Sequence, residues 1–185
     1  MANRFYTHWL DHIFCCNLRK LFHNPARILA KYVKPGMTVL DIGFGKGYFS
    51  LGMARMVGHD GLVVGVETAE DKIEPLKHKA AENGLTERID PRLCGDSDLG
   101  IDDFAGRIDF ALAFFMVHHA ADVPALMAGA HKALKPGGKF LIVEPGHHAS
   151  AEYCASVETA AEEAGLSVIG HPRIIRTWAV LLNKN

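Results

Sequence analysis

The chain has 185 residues, a formal net charge of −1 and 22% charged residues. This length corresponds to a single domain, and the 49% hydrophobic composition is that of a globular protein rather than a disordered one. Nucleic acids and anionic membranes are bound through clustered Lys and Arg side chains. A chain without a basic excess is therefore not expected to bind either of them.

The cysteine and apolar patterns predict a cytoplasmic protein. The four cysteines, at positions 15, 16, 94 and 154, form no Cys-x-x-Cys pattern, and we interpret them as reduced thiols. The longest apolar run, residues 110–117, is too short to span a bilayer. The N-terminus carries His, Asp and Arg where a signal peptide needs an apolar core. We therefore expect no membrane span.

Strand-like and helix-like patterns alternate along most of the chain. Strands are predicted over residues 38–42, 62–67, 89–94, 108–115 and 139–144, and helices over 49–57, 70–83, 122–134 and 150–165. Pro75 predicts a bend or an irregular first turn in its helix, and Pro91 predicts an edge position for its strand. A turn is predicted at KPGG, residues 135–138. The alternation predicts an α/β fold with a parallel sheet covered on both faces.

Two more strand-like runs follow residue 165 with no helix between them. Parallel neighbours need a connection of about a dozen residues, so these two runs are expected to be antiparallel. The chain is predicted to be one domain, residues 1–185, with a helical lid over residues 1–33 and a core over residues 34–185. The aromatic residues of the lid, which either line an apolar pocket or simply pack, are Phe5, Tyr6, Trp9, Phe14 and Phe22.

The segment VLDIGFGKGYFS, residues 39–50, joins the first strand to the first helix of the core. Its glycines Gly43, Gly45 and Gly47 would let a ligand approach the backbone where a Cβ would collide. Glu67 ends the second strand 20 residues after Gly47, where an acid typically accepts hydrogen bonds from ribose hydroxyls. Together these features predict an adenosine-containing ligand beyond the carboxyl ends of the strands.

The glycine spacing and Asp41 distinguish between two such ligands. A diphosphate-binding loop has the pattern Gly-x-Gly-x-x-Gly, whereas this loop reads Gly-x-Gly-x-Gly. The carboxylate of Asp41, two residues before the first glycine, would repel a diphosphate but suits a ligand with an ammonium group. These features favour S-adenosylmethionine over a nicotinamide dinucleotide.

Several motifs follow one another in a recognisable order. They are VLDIGFGKGYFSLGMARMVG, VVGVE, LCGDSD and FFMVHHAADVPALMAGAHKALKPGGKFLIVEP, followed by the hairpin-like tail. This series resembles the class I S-adenosylmethionine-dependent methyltransferases, most closely the small-molecule branch of ubiquinone and menaquinone methyltransferases. The resemblance covers the chain from about residue 24 onward. It implies a Rossmann-like three-layer sandwich with a seven-stranded sheet of order 3-2-1-4-5-7-6, strand 7 being antiparallel.

The same resemblance implies S-adenosyl-L-methionine as cofactor and S-adenosyl-L-homocysteine as product. By position, Asp41 and the glycine loop would contact the methionine part, Glu67 the ribose, and residues 95–97 the adenine. The implied cofactor-binding residues are Asp41, Gly43, Phe44, Gly45, Glu67, Thr68, Gly95, Asp96, Ser97 and Phe114, the last bordering the methionine part. As alternatives, Asp41 and Asp96 are turn-forming residues and Glu67 is a plain strand-end acid.

Two histidine pairs are predicted to meet at one edge of the sheet. His118 and His119 follow the fourth strand, and His147 and His148 follow the fifth, which is its neighbour in the implied order. Three interpretations stay open. The histidines are solvated, or His118 or His119 is a catalytic base or hydrogen-bond donor, or the pairs hold a metal ion, although no ligand spacing supports a metal. Glu144 either assists a catalytic histidine or simply ends its strand.

The motifs do not identify the methyl acceptor, but they argue against some classes of acceptor. The segment after the fourth strand lacks the Asn-Pro-Pro-Tyr sequence of nucleobase and glutamine methyltransferases. We therefore expect methyl transfer to a small molecule, apolar or aromatic, with the acceptor atom undetermined. A homo-oligomer or a protein partner is compatible with the sequence. The alternatives are a non-catalytic partner subunit that binds S-adenosylmethionine or S-adenosylhomocysteine, and a nicotinamide-dependent oxidoreductase, which would need a different glycine spacing and a second domain.

Overall fold

A computed structural model describes residues 22–185 of the chain. The β-strands are β1 (Thr38–Ile42), β2 (Leu62–Glu67), β3 (Ile89–Leu93), β4 (Ile108–Phe114), β5 (Leu134–Pro145), β6 (Leu166–Gly170) and β7 (Thr177–Lys184). The α-helices in this range are α1 (Pro25–Leu29), α2 (Tyr48–Val57), α3 (Ile73–Glu82), α4 (Val123–Ala133) and α5 (Ala151–Glu163). Most of the predicted lid, with Phe5, Tyr6, Trp9 and Phe14, lies outside the described residues.

The seven strands form one sheet in the order β3-β2-β1-β4-β5-β7-β6. Strands β1 to β5 run parallel to one another, whereas β7 lies antiparallel between β5 and β6. The predicted sheet order and the antiparallel last strand are confirmed. Because the strand order reverses between β1 and β4, their carboxyl ends open a crevice where this class of sheet binds ligands.

Buried side chains cover both faces of the sheet. Helices α1 to α3 pack against one face, and α4 and α5 against the other. In β4 the side chains alternate between the two layers: Phe110, Leu112 and Phe114 join the first layer, while Ala111 and Ala113 join the second. Burial on both faces explains why β4 is apolar throughout, as the sequence predicts.

Two helices begin where a side chain caps them. Asp122 Oδ1 accepts the N–H of Ala125 at 2.9 Å at the start of α4. Ser150 Oγ accepts the N–H of Tyr153 at 3.2 Å at the start of α5. Each bond satisfies an amide that has no partner inside the helix, so both predicted caps are confirmed.

Two prolines and the KPGG segment mark irregular places in the helices and strands. Pro75 lies in the first turn of α3, directly after a 3₁₀ turn over Glu70–Lys72, and Pro91 lies in β3 at the edge of the sheet, both as predicted. The predicted turn at residues 135–138 instead falls within β5, where the pairing shifts from Ile108–Leu134 to Phe110–Lys139. The extra residues bulge out of the ladder. Strand β5 therefore begins at Leu134, five residues before the predicted start at Lys139.

Among residues 22–185, no helix has the length and apolar content needed to cross a membrane.

Candidate active site

A cavity of about 280 Å³ lies at the carboxyl edge of the sheet, beside the ends of β1, β2 and β4 and the segment that follows β3. These segments meet because parallel strands end at the same edge. Seven of the ten residues that the resemblance assigns to the cofactor line this cavity: Gly43, Gly45, Glu67, Thr68, Gly95, Asp96 and Ser97. The structure therefore brings most of the implied set to one place.

Two glycines of the loop after β1 are required for different reasons. Gly43 has a φ of +70°, and a Cβ there would lie 2.9 Å from the side chain of Met116. Gly45 has a φ of +54°, and a Cβ there would meet no atom within 4 Å. Because Gly45 lines the cavity, the open space beside it is a cradle that a Cβ would fill. The backbone at Gly45 is therefore accessible to a ligand.

Glu67 organises two loops at the mouth of the cavity. Its Oε2 accepts the N–H of Gly45 at 2.8 Å, and its Oε1 accepts those of Thr68 at 3.0 Å and Ala69 at 3.4 Å. Carboxylate oxygens have about four acceptor positions in all, so capacity remains for a ligand hydroxyl. A carboxylate fixed in this way is suited to accept hydrogen bonds from a ribose.

Three residues of the implied set lie behind the cavity wall instead of lining it. Asp41 is only 2% exposed, and its Oδ2 accepts the hydroxyl of Ser50 at 2.5 Å. Phe44 lies against Gly65, where a Cβ would come within 2.9 Å of its ring. Phe114 packs in the core with its ring 4.2 Å from that of Phe49. These positions support the loops that contact the cavity.

Several residues that line the cavity are not among the site residues that the sequence predicts. They include Phe115 and Met116, which directly follow β4, and Asp98 and Leu99, which directly follow Ser97. The sequence predicts that the fourth strand ends at Phe115, whereas β4 ends at Phe114. The signal available in the sequence was position alone, because residues just beyond a parallel strand lie at the binding edge.

Carboxylates dominate the charge of the cavity. Its charged lining side chains are Glu67, Asp96 and Asp98, and no lysine or arginine of the described chain lines it. Burial and the nearby carboxylate of Glu67 raise the pKa of Cys94 to about 11, so its thiol stays neutral. A diphosphate would be repelled here, whereas hydroxyl groups and a cation would be attracted. The residues present therefore fit S-adenosylmethionine, with its ribose and its sulfonium.

The two histidine pairs meet beside this cavity, as predicted. The ring of His118 stacks on that of His148 at 4.7 Å, with 15° between the planes. His118 also lies 4.0 Å from His119, and His147 lies 4.3 Å from His148, between ring centroids. Of these four, His119 lines the cavity. Side chains from the loops after β4 and β5 thus form one continuous row of imidazoles.

Glu144 lies buried beneath this row. Its side chain is fully buried, its Oε1 accepts the N–H of Val117 at 2.9 Å, and its Oε2 is hydrogen-bonded to Nδ1 of His118. Burial raises the pKa of Glu144 to about 7. Burial also lowers the pKa of His118, and the neighbouring rings of His148 and His147 lower it further. Burial therefore favours the uncharged form of both partners.

The metal-binding interpretation finds no ligand set in this part of the chain. Among residues 22–185, no group of three or more His, Cys, Asp or Glu side chains is arranged to hold a metal ion. The rings instead stack on one another, and the fixed nitrogen of His118 is directed at Glu144.

The sheet order, the glycine loop and the acid that ends β2 are those of the class I S-adenosylmethionine-dependent methyltransferase fold. A family model described as a methyltransferase domain matches residues 6–184. The chain therefore belongs to this methyltransferase family.

Individual relatives agree with this assignment. The chain is 32% identical to protein-L-isoaspartate O-methyltransferase 1 of Arabidopsis thaliana over 120 residues, which are 63% of this chain and 49% of that protein. It is 29% identical to ubiquinone biosynthesis O-methyltransferase of Mesorhizobium japonicum over 141 residues, which are 76% of this chain and 49% of that protein. The chain thus spans about half the length of the curated relatives it matches.

A solved structure shows the same fold. The crystal structure of an S-adenosylmethionine-dependent methyltransferase from Aquifex aeolicus has a TM-score of 0.80 to this chain at 20% identity. The match covers 90% of this chain and 93% of that one. At this identity the likeness shows the fold and not the substrate.

Proposed function

We propose that this protein transfers the methyl group of S-adenosylmethionine to a small-molecule acceptor. The observation that carries the proposal is the carboxylate-lined cavity, in which the accessible backbone of Gly45 lies beside the fixed carboxylate of Glu67. This arrangement offers a nucleoside two kinds of contact, a bare peptide surface and an acceptor for its ribose hydroxyls. Bound S-adenosylmethionine supplies an electrophilic methyl group on a positively charged sulfur.

The residues have separate roles in this proposal. Glu67 accepts the ribose hydroxyls, and the segment Gly95–Ser97 contacts the adenine. Gly43 and Gly45 provide the backbone surface for the methionine part. Asp41 and Phe44 act indirectly, by packing under the loop. The strand order supports this orientation of the donor, from adenine through ribose to methionine, because β3, β2 and β1 end side by side beneath the cavity.

Methyl transfer is an in-line displacement, so the protein has to position the acceptor and remove its proton where it has one. We propose His118 or His119 as the catalytic base. Glu144 supports His118 in this role once its carboxyl has ionised, above its pKa of about 7. The carboxylate then accepts the Nδ1–H, which orients the ring and leaves Nε2 as the proton acceptor. His119 lines the donor cavity directly.

The proposed acceptor is small and apolar or aromatic. Support comes from the absence of any lysine or arginine in the described cavity lining, which argues against a polyanionic acceptor. A cytoplasmic location is also part of the proposal, and the free thiols of Cys94 and Cys154 fit a reducing compartment.

Binding and transfer test the proposal separately. Calorimetry should detect binding of S-adenosylmethionine and S-adenosylhomocysteine but not of NADH. Release of S-adenosylhomocysteine should then be measured with small phenols, amines and thiols as acceptors. Binding of NADH without S-adenosylmethionine would overturn the proposal in favour of an oxidoreductase. Binding of the donor with no transfer to any acceptor would favour a non-catalytic subunit that acts with a partner.

A further inference from the structure

Phe115 has an unusual backbone conformation at the edge of the donor cavity. Within the described chain, two residues other than glycine have a positive φ, Phe115 at 59° and Arg176 at 60°. The left-handed region is disfavoured for residues with a Cβ, and most of all for bulky ones. Such outliers persist where the surroundings enforce them, and they concentrate at functional sites.

The contacts around Phe115 enforce this conformation. Its N–H donates to the carbonyl of Val143 at 2.8 Å, which extends the pairing of β4 and β5 by one residue. Its ring lies 5.4 Å from that of His23, at 84° between the planes, and 4.5 Å from that of Phe114. The strand ladder and two aromatic neighbours therefore fix both the backbone and the side chain.

The turn at Phe115 interrupts the alternation of β4. Phe114 belongs to the layer of α1 to α3, so an extended continuation would send Phe115 to the opposite layer. Instead Phe115 also packs against the layer of α1 to α3, and it is Met116 that packs against the other layer, next to Gly43. The left-handed residue thus brings both Phe115 and Met116 to the cavity wall.

The strand order indicates which part of the donor meets Phe115. The segment after β3, the end of β2, the loop after β1 and the end of β4 follow one another along the edge. If the adenine lies at the segment after β3 and the ribose at Glu67, the sulfur and the methionine part extend toward Gly43 and Phe115. An aromatic ring attracts a cation placed over its face, and the sulfonium is the cationic centre that distinguishes S-adenosylmethionine from S-adenosylhomocysteine.

We propose that Phe115 is a donor-binding residue, that its ring recognises the sulfonium, and that its strained backbone is retained for this contact. The inference rests on the proposed function, because it assumes that S-adenosylmethionine occupies the cavity. It assigns to Phe115 a preference for the charged donor over the neutral product, which favours exchange of product for fresh donor after each turnover.

The first experiment measures the dissociation constants of S-adenosylmethionine and S-adenosylhomocysteine by calorimetry. Phe115→Leu keeps an apolar side chain of similar reach but removes the π face. We expect it to weaken donor binding about fivefold and product binding less than about twofold, the range of a single cation–π contact. A merely structural role would weaken both ligands equally. An unchanged ratio in Phe115→Leu overturns the inference and leaves the proposed function intact.

The second experiment measures the strain by thermal unfolding. Phe115→Gly and Phe115→Ala remove the same ring, but only alanine keeps a Cβ in the left-handed region. We expect the glycine variant to melt about 2–4 °C above the alanine variant, although both lose the preference for the charged donor. An alanine variant that melts at or above the glycine variant overturns the claim of strain.

Arg176 provides the matched control. Its φ of 60° is close to that of Phe115, and it is exposed and does not line the cavity. Arg176→Gly should melt above Arg176→Ala by a similar margin and should leave the ratio of the two dissociation constants unchanged. A shifted ratio in Arg176→Gly would overturn the local role of Phe115. Wild-type protein that binds neither ligand would overturn the proposed function, and this inference with it.

Discussion

The carboxylate of Glu67, at the end of β2, accepts the N–H of Gly45, in the loop after β1, at 2.8 Å. This bond connects two segments that are 22 residues apart in sequence. One side chain therefore fixes the glycine loop and presents acceptor oxygens to the cavity. Loss of the carboxylate should affect ligand binding through both the loop and the direct contact.

Glu67→Ala should weaken S-adenosylmethionine binding by at least ~1.5 kcal/mol, or about tenfold, the scale of hydrogen bonds to a charged group. Glu67→Gln should bind with intermediate affinity, because its amide oxygen still accepts one N–H while its NH₂ group cannot accept. The measurement is calorimetric titration. Glu74→Ala is the control, because Glu74 is exposed on α3 and pairs with Lys77. Wild-type affinity in a folded Glu67→Ala variant would contradict the ribose role.

Gly45→Ala should abolish donor binding at little more cost in stability than Gly36→Ala. Both glycines have a positive φ, and at both a Cβ would meet no protein atom within 4 Å. Each substitution should therefore cost about 1–2 kcal/mol of unfolding free energy from backbone strain. Only Gly45 lines the cavity. Urea unfolding and calorimetry on both variants separate the two effects, and equal donor affinities would argue against the cradle at Gly45.

Glu144→Gln should gain stability relative to wild type as the pH rises from about 4.5 to about 7. Burial raises the pKa of Glu144 from its ordinary value of 4.5 to about 7. The folded state therefore binds a proton more readily than the unfolded state in this interval, and Glu144 stabilises the fold below it. That contribution is lost as the pH passes through the folded pKa, whereas glutamine does not titrate.

Urea unfolding of wild type and Glu144→Gln at pH 5 and pH 7.5 separates the titration of Glu144 from that of the groups around it. His118, His119 and Tyr153 interact with Glu144, and they remain in both proteins. Glu152→Gln, an exposed substitution in the first turn of α5, is the control and should show no such trend. A stability difference between wild type and Glu144→Gln that is the same at both pH values would refute a raised pKa.

Ser50→Ala should destabilise the fold by about 1–3 kcal/mol, because it removes a hydrogen bond from the buried carboxylate of Asp41. The matched variant is Ser156→Ala, which removes an exposed hydroxyl bonded to the carbonyl of Tyr153 and should cost less than about 0.5 kcal/mol. Equilibrium unfolding in urea measures both. Similar losses in the two variants would show that the bond between Ser50 and Asp41 is not a special support of the glycine loop.

Much of the fold was predictable because the relevant signals are local. The apolar run of β4 indicates a strand covered on both faces, and the caps Asp122 and Ser150 indicate where α4 and α5 begin. The missing crossover between β6 and β7 requires an antiparallel pair. The bulge at residues 135–138 was not predictable, because a Lys-Pro-Gly-Gly segment forms a turn unless a neighbouring strand pairs with both of its ends.

In the candidate site, too, some features follow from the sequence and others only from the tertiary structure. The sequence by itself determined that glycines leave β1 and an acid ends β2, since spacing along a chain is enough to place both at the same edge of a parallel sheet. Only the tertiary structure decided that Phe115 rather than Phe114 faces the cavity, and that Asp41 supports the loop from behind. It also decided that Glu144 lies under His118. These outcomes depend on a single left-handed residue and on contacts between distant segments, where a rotation of one residue exchanges one face of a strand for the other.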